Sequence, residues 1–194
     1  MIRPARLADI EAMQRVGAAA GRRFAEIPDP RIAKCADDVP LPTGALRRWV
    51  DDGRAWVAVV DPAGPSDPAG PFAPDGGGRD RGGEAGIVGS IVVDILDGNA
   101  HVEELSVVPT AERRGLGSAL LDAVLAYARG HGHPAVTLTT FADVPWNRPW
   151  YERRGFAALA PGEEGPELAA RMLDEAALGL HPELRVAMRR PVDT

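Results

Sequence analysis

Apolar residues recur along this chain at two spacings, which divide it into predicted helices and predicted strands. In residues 10–24 and 115–129 they fall every three or four positions, as they do on the buried face of an amphipathic helix. Residues 55–60 and 135–141 are short runs rich in Val and Thr, which favour strands. The predicted helices cover residues 10–24, 45–52, 115–129, 147–154 and 166–178. The predicted strands cover residues 2–6, 55–60, 87–96, 100–108, 135–141, 156–159 and 184–189.

Residues that favour helix ends and turns separate several of these elements. Asp9 and Asn147 are suited to cap helix N-termini, and Pro149 is suited to the first turn after Asn147. Gly130 is suited to end the helix that precedes it. The sequence Asp97-Gly98-Asn99 predicts a tight turn between two antiparallel strands.

Two stretches of the chain show neither the helical spacing nor the strand pattern of apolar residues. Residues 28–44 contain four prolines and are predicted to be a loop. Residues 61–86 contain 13 Gly or Pro residues among 26, a composition that cannot form a packed element. Because strands are predicted on both sides, a flexible insert in a hairpin is favoured over a domain boundary there. One domain over residues 1–194 is therefore expected, with residues 161–194 adding a helix and a closing strand.

Composition narrows the class of protein. A chain of 194 residues can bury one substantial core, and its net charge of -6 argues against nucleic acid or an anionic membrane as a partner. Its one cysteine, Cys35, excludes an internal disulfide, and its four histidines show no metal-binding spacing. The N-terminal residues form no apolar leader and no apolar run is long enough for a membrane span, so a cytoplasmic protein is expected.

The segment VVPTAERRGLGSALL, residues 107–121, leads from a predicted strand into the start of a predicted helix. A helix N-terminus offers unpaired N–H groups and the positive end of its dipole. Gly115 and Gly117 would let a ligand approach that backbone, and Arg113 and Arg114 add cationic donors. The segment therefore favours an anion cradle, most simply one for a diphosphate. A glycine-rich turn with solvated arginines is the alternative that this segment alone leaves open.

Two common phosphate-binding motifs do not fit this segment. The pattern G-x-x-x-x-G-K-[ST] is absent, and G-x-G-x-x-G fails because Leu120 stands where its third glycine belongs. The turn from strand to helix, residues 109–114, is also too long for a dinucleotide fingerprint. A nucleotide-binding regulatory domain is therefore disfavoured.

In combination with a second segment, the helix start resembles a known family. A strand ending in V-x-P, then five residues, then G-x-G at a helix start is similar to the coenzyme A-binding motif of the GNAT superfamily of N-acetyltransferases. TLTTFADVPWNRPWYERRGF, residues 137–156, resembles the later motif of that superfamily. The resemblance spans residues 2–160 and is most specific over 101–156. It implies an α/β fold with a mixed, mostly antiparallel central sheet, flanked by helices and splayed at an acetyl-CoA site.

The resemblance implies transfer of the acetyl group of acetyl-CoA to a primary amine of a small molecule or peptide by direct attack, without a metal. It implies that the backbone of Leu105, Ser106 and Val107 pairs with the pantetheine arm of acetyl-CoA. The other cofactor-binding residues that it implies are Arg113, Arg114, Gly115, Leu116, Gly117, Ser118 and Asn147. Two positions depart from the usual pattern, since Glu112 stands where Gln or Arg is common and Asn147 lies unusually close to Tyr151.

Strict alternation along the strand over 100–108 divides its side chains between two faces. His101, Glu103, Leu105 and Val107 are expected on one face, and Val102, Glu104 and Ser106 on the other. The resemblance implies a general base at His101 or Glu103, a choice that the sequence leaves open, and Glu104 is expected to be structural. It also implies that Tyr151 is the acid that protonates the leaving thiolate.

No motif identifies the acceptor. Phe24 and Trp49 lie in the N-terminal quarter, which covers the acceptor pocket in this family, so an aromatic amine is one interpretation and core packing the other. The helix over 166–178 is expected either to shape the acceptor site or to form a homodimer contact. A catalytically silent acyl-CoA-binding sensor is the alternative function, which Glu112 favours and which Tyr151 and Glu103 disfavour.

Overall fold

The computed structural model describes residues 1–60 and 86–192. Its strands are β1 (Ile2–Pro4), β2 (Ala55–Val60), β3 (Gly86–Leu96), β4 (Asn99–Val107), β5 (Ala135–Phe141), β6 (Ala157–Ala158) and β7 (Arg185–Pro191). They form one sheet in the order β1-β2-β3-β4-β5-β7-β6. Neighbouring strands are antiparallel except β4 and β5, which run parallel. The predicted insert over 61–86, apart from Gly86, lies outside the described residues.

Helices flank the sheet on both faces. Those of the described residues are α1 (Ile10–Gly21), α2 (Pro30–Ala33), α3 (Thr43–Asp51), α4 (Leu116–Gly130), α5 (Arg148–Glu152) and α6 (Pro166–Ala177). The prediction of a loop over residues 28–44 is therefore wrong at α2 and at the first turn of α3. The α2 helix forms because the Asp29 carboxylate accepts a hydrogen bond from the Arg31 N–H at 2.9 Å and Pro30 fits the first helical position.

The sheet separates two apolar layers, because successive strand residues point to opposite faces. On one face, Leu121 and Val124 of α4 share a buried cluster with Val93 of β3. On the other face, Trp49 of α3 shares a second buried cluster with Val92. These layers place α4 on one side of the sheet and α1 and α3 on the other.

The parallel pairing of β4 with β5 is short. It consists of the pairs Ala100–Val136, His101–Thr137 and Val102–Leu138. Beyond Val102 the β4 strand stays paired with β3, and beyond Leu138 the β5 strand stays paired with β7. The two strands therefore diverge, and residues 103–107 keep an edge without a partner strand in the described part of the chain. This divergence is the splay that the family resemblance implies.

The turn between β3 and β4 also anchors α6. Asp97 and Gly98 form a two-residue turn with φ values of 50° and 74°, and the third residue of the predicted turn already belongs to β4. The Asp97 carboxylate accepts hydrogen bonds from the N–H groups of Glu167 and Leu168 at 3.0 and 2.9 Å. Glu167 returns a hydrogen bond by accepting from the Asp97 N–H. A Cβ at Gly165 would overlap the Asp97 carboxylate. Glycine at this position therefore leaves room for Asp97, which is distant in sequence, to cap the N-terminus of α6.

We predict that Asp97→Ala lowers the free energy of unfolding by about 1–2 kcal/mol, because it removes a helix cap and puts alanine in a left-handed conformation. Asp97→Asn keeps an oxygen acceptor and tolerates that conformation, so its loss should be smaller. Urea unfolding of the two variants beside the wild type measures both values. Equal losses in the two variants would contradict the assignment of the Asp97 carboxylate as the cap of α6.

Candidate active site

The divergence of β4 and β5 opens a cavity of about 1030 Å³. Residues 102–107 and 138–141 of the two strands line it, together with residues 111–113 and 115–118 at the start of α4. Residues 146–154 around α5 close one side, and residues 17–24 at the end of α1 close another. A cavity of this size can hold a ligand of the size of a cofactor.

A β-bulge in β4 decides which side chains face this cavity. The consecutive β3 residues Val92 and Val93 pair with Glu104 and Val102, respectively. Glu103 is therefore an extra residue with no β3 residue opposite it. Beyond the bulge, Leu105 and Val107 pack into the same apolar cluster as Val102. Glu103 and Glu104 therefore share the face opposite α4. The strict alternation predicted for this strand is wrong from Glu104 onward, and the bulge is the reason.

Glu104, expected from the sequence to be structural, lines the cavity. Its carboxylate lies against α1, since a Cβ built at Gly17 would come within 3.0 Å of Glu104 Oε1. Burial raises the pKa of this carboxyl, and a hydrogen bond with Ser106 opposes part of that rise. No salt bridge involves Glu104 among the described residues. A carboxyl group with a raised pKa beside a cavity can accept a proton from a ligand.

Glu103 also lines the cavity, but its carboxylate forms an ion pair with Arg171 of α6. Arg171 lies 3.3 Å from Asp94, which pairs in turn with Arg54 at 2.6 Å. Glu103 is thus one end of a series of alternating charges that joins α6 to the sheet. A carboxylate held by a guanidinium is a weaker base than an unpaired one, because the cation stabilises its charged form.

His101 lies away from the cavity. Its side chain is 1% exposed, and Nδ1 lies 3.0 Å from the Thr137 Oγ1. Burial, with a smaller effect of the Arg171 charge, lowers the pKa of His101 to about 3. The imidazole is therefore neutral at physiological pH, and it is not among the residues that line the cavity.

Tyr151 lines the cavity at the end of α5. Its ring packs edge-on against Trp150 and Phe156, with centroid distances of 4.9 and 5.5 Å. Burial raises the pKa of Tyr151 to about 12, so the phenol keeps its proton at physiological pH. A protonated phenol can donate a hydrogen bond to a leaving anion.

The start of α4 has an unusual backbone. Arg113 and Gly115, the residue that caps the helix, are both left-handed, with φ values of 58° and 78°. Left-handed residues next to the N-terminus of a helix orient their N–H groups toward one concave side of the backbone, where an anion can bind. A Cβ at Gly115 would meet open space, so the backbone conformation rather than crowding requires glycine there.

Most residues expected to bind the cofactor lie around the cavity. Those that line it are Leu105, Ser106, Val107, Arg113, Gly115, Leu116, Gly117, Ser118 and Asn147. Arg114 is exposed and is not among the lining residues. A Cβ at Gly117 would lie 3.3 Å from the Trp150 ring, so this glycine makes room for a tryptophan. Asn147 precedes α5 as predicted, but its side chain makes no capping hydrogen bond.

Arg154 was not identified from the sequence, although the adjacent arginines of WYERRGF were a signal for it. Its guanidinium carbon lies 3.5 Å from the centroid of the Trp150 ring, and its Nε donates to the Ser118 Oγ at 3.2 Å. Arg154 lines the cavity and joins the end of α5 to the first turn of α4. It therefore adds a positive charge at the helix start.

Glu112 carries the one acidic side chain in the segment between β4 and α4. Its carboxylate accepts a hydrogen bond from Arg23 at 2.7 Å, across 89 residues of sequence. The Arg23 guanidinium carbon lies 3.9 Å from the centroid of the Trp146 ring. All three residues line the cavity.

The end of the cavity at β5 and β7 is both charged and aromatic. Glu175 of α6 pairs with Arg185 at 3.0 Å, and both line the cavity. Phe24 and Phe141 pack edge-on there, with centroids 5.5 Å apart. Trp49 lies in the buried cluster beneath α1 and α3, as the core-packing interpretation of this residue predicts. The α6 helix thus contributes a wall of the cavity, whereas the homodimer contact stays a prediction.

Residues 1–60 and 86–192 contain neither a metal-binding cluster nor a membrane-spanning helix. No group of three or more His, Cys, Asp or Glu side chains is placed there to share a metal ion. None of the helices in that part of the chain has both the length and the apolar composition to cross a membrane.

A family model for acetyltransferases of the GNAT family matches residues 41–156. The chain belongs to this family. The match covers the splayed strands, the start of α4 and Tyr151, so the family resemblance noted in the sequence is confirmed. GNAT family members are acetyltransferases.

Solved structures of proteins from three organisms share the fold. Rv2747 from Mycobacterium tuberculosis, solved in complex with CoA, is 19% identical, with a TM-score of 0.62 over 100% of this chain and 99% of that one. The PaiA N-acetyltransferase from Thermoplasma acidophilum, also in complex with coenzyme A, is 12% identical, with a TM-score of 0.62 over 98% of each chain. The ribosomal-protein-S18-alanine N-acetyltransferase from Escherichia coli is 14% identical, with a TM-score of 0.59 over 100% of this chain and 94% of that one. The predicted fold class is confirmed.

We predict that His101 makes this GNAT protein sensitive to acid. Its native pKa, about 3, lies below the ordinary value of 6.5, so the unfolded chain binds more protons as the pH falls through 6.5. Relative to His101→Gln, the wild type should lose about 1.4 kcal/mol of unfolding free energy for each pH unit between pH 6 and pH 4. Urea unfolding of both proteins over this range measures the difference.

The same variant separates a structural role from a catalytic one. If His101 is a buried structural residue, the His101→Gln variant should retain the shape of the pH–rate profile. An unchanged pH dependence of stability together with a lost limb of the pH–rate profile would instead support His101 as the general base.

Proposed function

We propose that this protein transfers the acetyl group of acetyl-CoA to a primary amine of a small molecule or peptide by direct attack. The observation that carries the proposal is that one cavity joins the open edge of β4, the left-handed start of α4, Glu104 and Tyr151. An edge that can pair with an extended ligand thus lies beside an anion cradle and two groups able to move protons. Family membership supports the same activity.

The residues present fit acetyl-CoA as the donor. The free edge of residues 105–107 offers backbone N–H and C=O groups to an extended pantetheine arm, in the manner of an added strand. The N–H groups of Gly115, Leu116 and Gly117 at the start of α4 suit the diphosphate. Bound acetyl-CoA would supply the activated acetyl group, and no metal has a part in the proposal.

Glu104 is our candidate for the general base. An aliphatic amine is protonated at neutral pH and must lose a proton before it can attack a thioester. Glu104 faces the cavity without an ion pair among the described residues, and its raised pKa makes it a better proton acceptor than an ordinary carboxylate. Glu103 and His101, which the family resemblance implied, are less suited because Glu103 is paired with Arg171 and His101 lies outside the cavity.

Tyr151 is our candidate for the acid. Its phenol keeps its proton because burial raises its pKa to about 12. It can therefore donate a hydrogen bond to the departing thiolate and supply the proton as the thiol forms. The positive charges of Arg154 and Arg185 oppose part of the rise in the pKa, which favours this transfer.

We predict that the protein binds CoA and that Gly115→Ala weakens binding at least tenfold, because a Cβ at φ +78° forces the cradle to change shape. Gly132→Ala is a matched control, since Gly132 is also left-handed and open but follows the other end of α4. Isothermal calorimetry measures the three affinities. No binding of CoA to the wild type would contradict the proposed function.

We predict that Glu104→Gln lowers kcat/KM about 10²-fold, the usual effect of losing a general base. The matched variant Glu103→Gln should lower it much less, and Tyr151→Phe should lower kcat without weakening CoA binding. Thiol release on a panel of primary amines measures these rates. Greater loss in Glu103→Gln than in Glu104→Gln would reverse the assignment of the base.

The pH profile checks the same assignment. The wild-type rate should fall as the pH drops through the raised pKa of Glu104, because only the carboxylate accepts a proton. Glu104→Gln should lack this limb. CoA binding without turnover on any amine would support the acyl-CoA-binding sensor instead.

A further inference from the structure

The segment that leads into α4 contains a charge of the same sign as the ligand that it should attract. Glu112 lies three residues before Gly115 and lines the same cavity. A carboxylate beside a cradle for a diphosphate repels the ligand, and in a partly desolvated site the repulsion is stronger than in water. Some other group must offset this charge if the cradle is to hold a diphosphate.

Arg23 is placed to offset it. This residue belongs to the turn that follows α1, and its guanidinium donates to Glu112 Oε1 at 2.7 Å. The two side chains are 31% and 29% exposed, so their pairing is only partly screened by solvent. Glu112 is the one hydrogen-bond partner of the Arg23 side chain among the described residues.

A second contact, with an aromatic ring, also fixes the position of the Arg23 guanidinium. The guanidinium stacks over Trp146 at 3.9 Å from the ring centroid, and Trp146 in turn packs against Phe24 at 6.2 Å. A stacked guanidinium keeps a defined plane, so less side-chain entropy is lost when it pairs with a carboxylate. The N-terminal segment and the loop after β5 thus hold one cation against the cradle.

We infer that Arg23 is a positioning residue of the donor site, which neutralises Glu112 so that the start of α4 can bind a diphosphate. The inference rests on the proposed function. It explains how a chain with an acidic residue in this segment retains an anion cradle. It also assigns the N-terminal segment a part in binding the donor, in addition to lining the cavity.

A double-mutant experiment tests the inference. Arg23→Gln should weaken CoA binding about tenfold, because it leaves the Glu112 charge unpaired. Glu112→Gln should bind CoA at least as tightly as the wild type, and Arg23→Gln/Glu112→Gln should return to within about twofold of it. Arg23→Lys, which keeps the charge, should stay within about threefold. Calorimetry with CoA measures all four, and thermal melting of each variant shows that it is folded.

Two controls separate this effect from others. Arg15→Gln removes the same charge from α1 at an exposed position outside the cavity and should not change CoA affinity. Dephospho-CoA retains the diphosphate, so its affinity should fall by the same factor in Arg23→Gln. A loss confined to CoA would overturn the inference by placing Arg23 at the 3′-phosphate.

The remaining outcomes are equally decisive. A double variant as weak as Arg23→Gln alone, or Arg23→Lys as weak as Arg23→Gln, would overturn the inference while the proposed function stands. Wild-type protein that binds neither CoA nor dephospho-CoA would overturn both.

Discussion

The parallel ladder between β4 and β5 stops after three residue pairs, and the site depends on that early end. Each strand is held on its other side, β4 by β3 and β5 by β7, so the two can diverge without either losing its shape. The gap between them becomes the cavity. The residues that line the gap are strand residues in a rigid sheet, which keeps Glu104 and the free backbone edge in a fixed relation to α4.

The bulge at Glu103 is the second constraint on the site. It places two adjacent acidic residues on one face, where α6 engages the first and α1 receives the second. The Gly17 position in α1 leaves just enough space for the Glu104 carboxylate. The same two residues without the bulge would point to opposite faces, and one of them would enter the apolar layer beneath α4.

Local patterns predicted most of the fold and part of the site. The helical periodicity of α4 and the run of Val and Thr in β5 predicted these two elements almost to the residue, whereas α2 is too short to show a period and was missed. The bulge left a trace in the sequence, since the apolar residues Val102 and Leu105 are three apart within a strand. Contacts such as Arg23 with Glu112 were not predictable, because no spacing rule joins residues 89 apart.

The position of the free edge of β4 within the sheet protects that edge from pairing with the strands of other sheets. Unpaired strand edges are sites where sheets join one another and aggregate, and proteins protect them in several ways. Here the unpaired residues 103–107 lie inside the sheet, with β5 diverging on the same side and helices over both faces. A strand of another sheet would have to enter between two strands that are already held from behind. The fold thus keeps an edge accessible to a slender ligand while denying it to a second polypeptide chain.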